Sequence, residues 1–278
     1  MNLTTARDAL DDSTVCELHV PLKANINLTA LGDIKVGDLQ GDGVRVFSEM
    51  GCVTLGNLKC SEVSAGTNDK DIVVEGNIEA TRVDLLCRQS GSIKAQKIKS
   101  LGLKLDTNEG NIHMNACYSK NGYFITKTGN IDLKNVHNRC RIDTIKNGQV
   151  KMVGFEGALE VSLQNGKADL QIQKLFDNSD ITVREEGEIT LRIPKELLDY
   201  VEILIWSKGC YVDDDIPYTE DDLKDLTTIR KAGTTAEHVL RVRCMKATCN
   251  VHFASWIDMM TQNMAKSTDD QSLKKQAN

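Results

Sequence analysis

The chain has 278 residues, of which 40% are hydrophobic and only 4% aromatic, so any core must be built from aliphatic side chains. Its net charge is −6, which argues against nucleic acid as a partner, because phosphate binding needs a positive field. No stretch approaches 18 apolar residues, which argues against membrane insertion.

The first twenty residues, MNLTTARDALDDSTVCELHV, have no apolar h-region and carry three aspartates. They fit neither a secretory signal nor an Arg-rich transit peptide, and the expectation is an intracellular, cytoplasmic protein. The nine cysteines are odd in number, irregularly spaced and without a CxxC, which fits reduced thiols better than a disulfide framework. Residues 1–23, including a strand pair over 13–28, are expected to cap the start of the fold.

From residue 24 a repeat takes over. Gly32, Gly51, Gly76, Gly91, Gly110, Gly129 and Gly148 are separated by 19, 25, 15, 19, 19 and 19 residues. Two residues after each stand Ile34, Val53, Ile78, Ile93, Ile112, Ile131 and Val150. Four after stand Val36, Leu55, Ala80, Ala95, Met114, Leu133 and Met152, and seven after stand Leu39, Leu58, Val83, Ile98, Cys117, Val136 and Phe155. All 21 positions are apolar. Offsets two and four share one face of a strand. The step of three to offset seven marks a corner, and glycine followed by Asn, Asp or Ser suits a turn. One coil cannot bury its own apolar face, whereas stacked coils can. The spacing therefore predicts an all-β, single-stranded parallel β-solenoid of about 19-residue coils over residues 24–193, with an extra loop at 64–71 and Ala80 stacked on Ala95. After Gly148 the glycines come nine apart, and GEITLRI (187–193) ends at Pro194.

Residues 194–260 lose the register. YVEILIWS (200–207) reads as a strand, residues 213–226 as an acidic loop leading into a short helix, and 237–256 as two strands or a hairpin. An α+β capping segment over the last coil is expected, since an open edge invites aggregation; a partner-binding module is the alternative. The polar residues 261–278 read as a disordered tail.

The run of G-[ND]-I-x-[VALM] coils resembles the adhesin-type solenoid family, a domain of unknown function widespread in bacteria. The likeness covers about residues 20–260 and implies a solenoid fold. For animal members it implies an intracellular or mitochondrial setting. It implies no catalytic residues.

Candidate chemistry is sparse. Asp132, flanked on neighbouring coils by His113 and Lys151 and with Asp106, Glu109 and Asp143 nearby in the repeat, is the best acid cluster for a carbohydrate-active β-helix; the competing reading is a solvated face of paired charges. Cys244, Cys249 and His252 are the compact set for a metal, although a plain strand would put the two thiols on opposite faces. Cys117 reads as a core residue, and Cys87 and Cys140 as too far apart to pair. Lys94, Lys97, Lys99 and Lys104 form either a basic patch or a charged guard against edge pairing. No GxSxG, P-loop or dinucleotide fingerprint occurs, so no catalytic residue, cofactor or metal site is assigned and the binding residues remain unknown. The sequence points to a non-enzymatic scaffold for an unidentified protein partner. Self-association by end-to-end stacking, as in bactofilin-like proteins, and a carbohydrate-active enzyme are the alternatives.

Overall fold

The computed structural model describes residues 2–4, 23–221 and 225–254. Its strands are β1 (Asn2–Thr4), β2 (Ile26–Ala30), β3 (Ile34–Val36), β4 (Leu39–Ser48), β5 (Val53–Leu55), β6 (Leu58–Thr67), β7 (Ile72–Cys87) and β8 (Ile93–Thr107). They continue as β9 (Ile112–Thr128), β10 (Ile131–Leu175), β11 (Ser179–Val183), β12 (Gly187–Ile193), β13 (Val201–Val212), β14 (Tyr218–Asp221), β15 (Leu226–Ile229) and β16 (His238–Phe253). From β1 to β13 every pairing between them is parallel, and so are those of β16: the chain winds as a β-solenoid of about 20 residues per turn. No helix among the described residues is long and apolar enough to cross a membrane.

The interior is columnar. Ile34, Val53, Ile72, Ile93, Ile112 and Ile131 stack one above the other, all nearly inaccessible. Leu39, Leu58, Ile78, Ile98, Cys117 and Val136 form a second column. The glycine spacing assigns Ile78 to the first column, and the structure moves it to the second. The coil that was missed turns at Lys70, where the other coils have Gly51 and Gly91. There is a second glycine corner as well. Gly37-Asp38-Leu39, Gly56-Asn57-Leu58 and Gly76-Asn77-Ile78 are its three copies, because Leu39, Leu58 and Ile78 are register partners. The true steps between the first-column residues are thus 19, 19, 21, 19 and 19. The 25 and 15 arise from counting across two different corners. Ala80 stacks between Cys60 and Ser100, not on Ala95, which lies between Val74 and Met114. Residues 64–67 continue β6 rather than looping out.

Corners are held by polar side chains. Outside, the residue after five of the first-corner positions, Asp33, Asp71, Ser92, Asn111 and Asn130, bonds the backbone one coil on. Cys52 N–H donates to Asp33 Oδ1 at 2.7 Å, Ser92 N–H to Asp71 Oδ1 at 2.8 Å, Asn111 N–H to Ser92 Oγ at 3.2 Å, Asn130 N–H to Asn111 Oδ1 at 2.8 Å and Gln149 N–H to Asn130 Oδ1 at 3.0 Å. Inside, Ser48, Thr67, Thr107 and Thr126 donate their hydroxyls to the corner carbonyls of Gly32, Gly51, Gly110 and Gly110. A buried hydroxyl needs such a partner, and here the corner carbonyls supply it. The coils approach so closely that a Cβ on Gly110 would lie 1.8 Å from the Gly91 carbonyl oxygen.

Parallel stacking does not stop at Pro194. A 3₁₀ turn (Lys195–Asp199) leads into β13, but β13 does not pair with β12. Instead β16 lies between them, parallel to β11 and β12 on one side and to β13 on the other. The chain lays down the terminal coil first and then returns to fill the gap. Residues 238–253 are one bent strand, not the expected hairpin. Beyond β13 the polarity reverses: β15 pairs antiparallel with β13, and β14 antiparallel with β15. Strands occupy 218–221 and 226–229, so 218–221 is strand within the stretch 213–226 expected to be loop and short helix, and residues 222–224 of that stretch lie outside the described residues. The expected disordered tail, and most of the 13–28 strand pair, lie outside the described residues.

Candidate functional site

A groove of about 920 Å³ runs along one outer face, crossing the coils from β7 to β11 and reaching β16. No loops wall it. Its floor is low because outward positions carry small residues, Gly102 and Ala158, and a Cβ on Gly102 would meet nothing within 4 Å. At Gly122, an inward position, the Phe124 ring takes the space a side chain would use: a Cβ there would lie 3.1 Å from it. Phe124 is itself fully buried.

The walls are charged. Arg82, Lys104, Arg139, Arg141, Arg184 and Arg243 line the groove with only three carboxylates, Glu160, Asp177 and Asp180. Three further carboxylates lie just outside the lining as partners: Asp84 is 3.9 Å from Arg82, Asp106 is 2.9 Å from Lys104, and Asp143 is 3.1 Å from Arg141. At the centre, Tyr123 Oη donates to Asp143 Oδ2 at 2.6 Å, and the Arg141 guanidinium lies over the Tyr123 ring at 5.3 Å. Burial, then the hydrogen bond to Asp143, push the Tyr123 hydroxyl up to about 12, so it stays a donor across the physiological range. Arg141 also reaches Glu160 at 3.3 Å, Arg139 bonds Asp177 at 2.8 Å, and Arg243 bonds Asp180 at 2.8 Å. Arg141–Glu160, Arg139–Asp177 and Arg243–Asp180 cross from coil to coil, whereas Arg82–Asp84, Lys104–Asp106 and Arg141–Asp143 lie along single strands.

The structure does not bring the predicted acid cluster together. Asp132 and His113 are register partners, with Nδ1 3.3 Å from Oδ2, and the imidazole Nε2 lies 3.1 Å from Asn115 Oδ1. Burial raises the Asp132 pKa, but the His113 hydrogen bond and charge, with Lys134 and Lys151, outweigh it and hold it below the usual value. Its Oδ1 is buried without a hydrogen-bond partner. Asp106 and Asp143 belong to another column, separated by Ile125, and Glu109 is exposed at a corner. The four lysines are not one patch: Lys94 bonds Asp71 at 2.9 Å, Lys97 lies over the Tyr118 ring, Lys99 is 3.8 Å from Glu79, and Lys104 joins the groove.

His252 turns to Asp213, with Nδ1 2.9 Å from Oδ1, away from the thiols. Among the described residues no three His, Cys, Asp or Glu side chains form a group fit to hold a metal ion. Cys244 and Cys249 both face the interior, because two extra residues of β16 form a corner between them. Cys117 is buried in its column, and Cys87 is buried with its thiol donating to the Lys70 carbonyl.

The groove escaped the sequence reading. The one available signal is a small residue, Gly102 or Ala158, at an outward strand position where the other coils carry Arg82 or Arg139.

No solved structure matches the chain. A family model, Toastrack DUF4097, matches residues 85–252. That match spans well over half of the chain, runs through the groove and crosses Pro194 into the strand inserted before the terminal coil. The chain therefore belongs to the Toastrack DUF4097 family, a domain of unknown function with a β-solenoid-like fold.

Proposed function

We propose that the protein is a non-enzymatic β-solenoid scaffold that binds an extended, carboxylate-bearing segment of a protein partner along the groove. The observation that carries this reading is the groove itself: an open trough of about 920 Å³ lined by six cationic side chains on successive coils, of which Arg82, Lys104, Arg139, Arg141 and Arg243 are paired with carboxylates. An extended peptide repeats its side chains every ~7 Å along one face. A row of guanidinium groups on successive coils can meet the carboxylates of such a segment with charge-assisted hydrogen bonds. A reducing, intracellular setting is part of the reading and is supported by eight free cysteines among the described residues. End-to-end assembly is less well supported, because antiparallel β15 covers part of the last coil's edge.

The test is fluorescence anisotropy with a labelled ten-residue peptide of alternating Glu and Thr. Binding should weaken with added salt and fall at least tenfold in Arg139→Glu/Arg141→Glu, while Lys99→Glu, outside the groove, should bind like the parent. Equal binding by both variants, or none by the parent, overturns the reading.

A further inference from the structure

The last two coils hold a juxtaposition that the groove does not use. Cys210 on β13 and Cys249 on β16 are register partners in a parallel pair. They occupy the inward column that ends Ala168, Ile189, Cys249, Cys210. Among the described residues no other register pair sets cysteine against cysteine: Cys60 faces Gly41 and Ala80, Cys87 faces Thr67 and Thr107, Cys117 faces Ile98 and Val136, Cys140 faces Gly122, and Cys244 faces Ser207. Adjacent strands lie about 4.8 Å apart, inside the Cα separation of about 4.4–6.8 Å that a disulfide spans.

The two thiols differ in exposure. Cys249 is fully buried, whereas Cys210, on the terminal coil, is partly accessible. The two face each other across the strand pair, with Thr227 of β15 beside Cys210 and Cys244 beside Cys249. The Cys249 thiol, then the Thr227 hydroxyl, lower the Cys210 pKa against the effect of burial. The Cys210 and Cys244 thiols, and burial, raise that of Cys249. One thiol is therefore disposed to be the reached thiolate and the other a protonated neighbour in contact with it.

We propose that Cys210 is a peroxide-reactive thiol and Cys249 its resolving partner, forming a reversible disulfide between the last two coils. In the first step the Cys210 thiolate attacks one oxygen of hydrogen peroxide. The O–O bond breaks, Cys210 becomes a sulfenic acid, and hydroxide leaves. In the second step the Cys249 sulfur attacks the Cys210 sulfur. The S–O bond breaks and the hydroxyl departs as water with the Cys249 proton. The two thiols lose two electrons and the peroxide gains them. A thiol reductant reverses the bond.

The experiment treats the full chain with one equivalent of hydrogen peroxide, alkylates with iodoacetamide and maps peptides by mass spectrometry. The expected product is a Cys210–Cys249 linked peptide that dithiothreitol removes. Cys210→Ser should abolish it. Cys249→Ser should leave Cys210 as a sulfenic acid trapped by dimedone, a result that also guards against loss of the link through misfolding. Cys244→Ser should keep the link. If Cys210 and Cys249 both stay open to alkylation in the parent, or if the principal link joins another pair, the proposal is overturned.

Discussion

Asn130 serves two coils at once. Its N–H is bonded by Asn111, and its Oδ1 bonds the N–H of Gln149. Asn130→Ala should leave the Gln149 N–H to water and cost about 1 kcal/mol, read as a lower urea midpoint at unchanged slope. Two residues that adjoin in sequence should differ far more. Ile131 is fully buried in its column, and Ile131→Asp should cost about 4 kcal/mol or more and unfold the protein, whereas Asp132→Ala should be tolerated in thermal melts. Equal melts would mean that the columns are assigned wrongly. Asp71 carries a pH signature. Burial raises its pKa, but the Ser92 N–H and Lys94 hold it below the ordinary value. A folded-state pKa that is depressed gives stability that is present above the unfolded value of about 3.9 and is lost as pH falls through the folded one. The stability difference between the parent and Asp71→Ala should accordingly be full at neutral pH and shrink below about pH 4 in urea titrations.

At the level of the coil, the sequence shows which residues face inward better than it shows which coil they belong to. Alternation within a strand is read directly from Ile131, Asp132 and Leu133, because strand side chains point to opposite faces. The coil at Lys70 was skipped because a corner can also close without glycine, while Gly76 imitates one corner and builds the other. The groove was harder to find, since it depends on the absence of a side chain at Gly102 across from arginines that are distant in sequence. The same two kinds of glycine separate in a substitution test. Gly110→Ala would drive a methyl into the Gly91 carbonyl and should cost about 2–4 kcal/mol. Gly102→Ala meets open space and should melt within about 0.5 kcal/mol of the parent, while shallowing the groove. The cysteines followed similar logic: a corner within β16 turned both Cys244 and Cys249 inward, and corners inside a strand cannot be counted from spacing alone.

For the whole molecule, the order of coils in space is not their order in sequence. β13 is made before β16 but stacks beyond it. A chain ending at residue 193 would lose both coils together with the antiparallel pair, exposing β11 and β12 as an open edge. Light scattering on a sizing column should show the full chain as a monomer and the shortened chain as a concentration-dependent series. A monomeric shortened chain would mean that the edge is harmless. The inserted strand also governs how the protein is made. A solenoid whose coils stack in chain order can zip up behind the ribosome, each turn docking as it emerges. Here the final turn must wait, unsupported, for a segment synthesised some thirty residues later, and that late segment acts as a keystone. The same arrangement sets the mechanical weak point. Pulling on the C-terminal end would draw out the next-to-last turn first and release the last one with it.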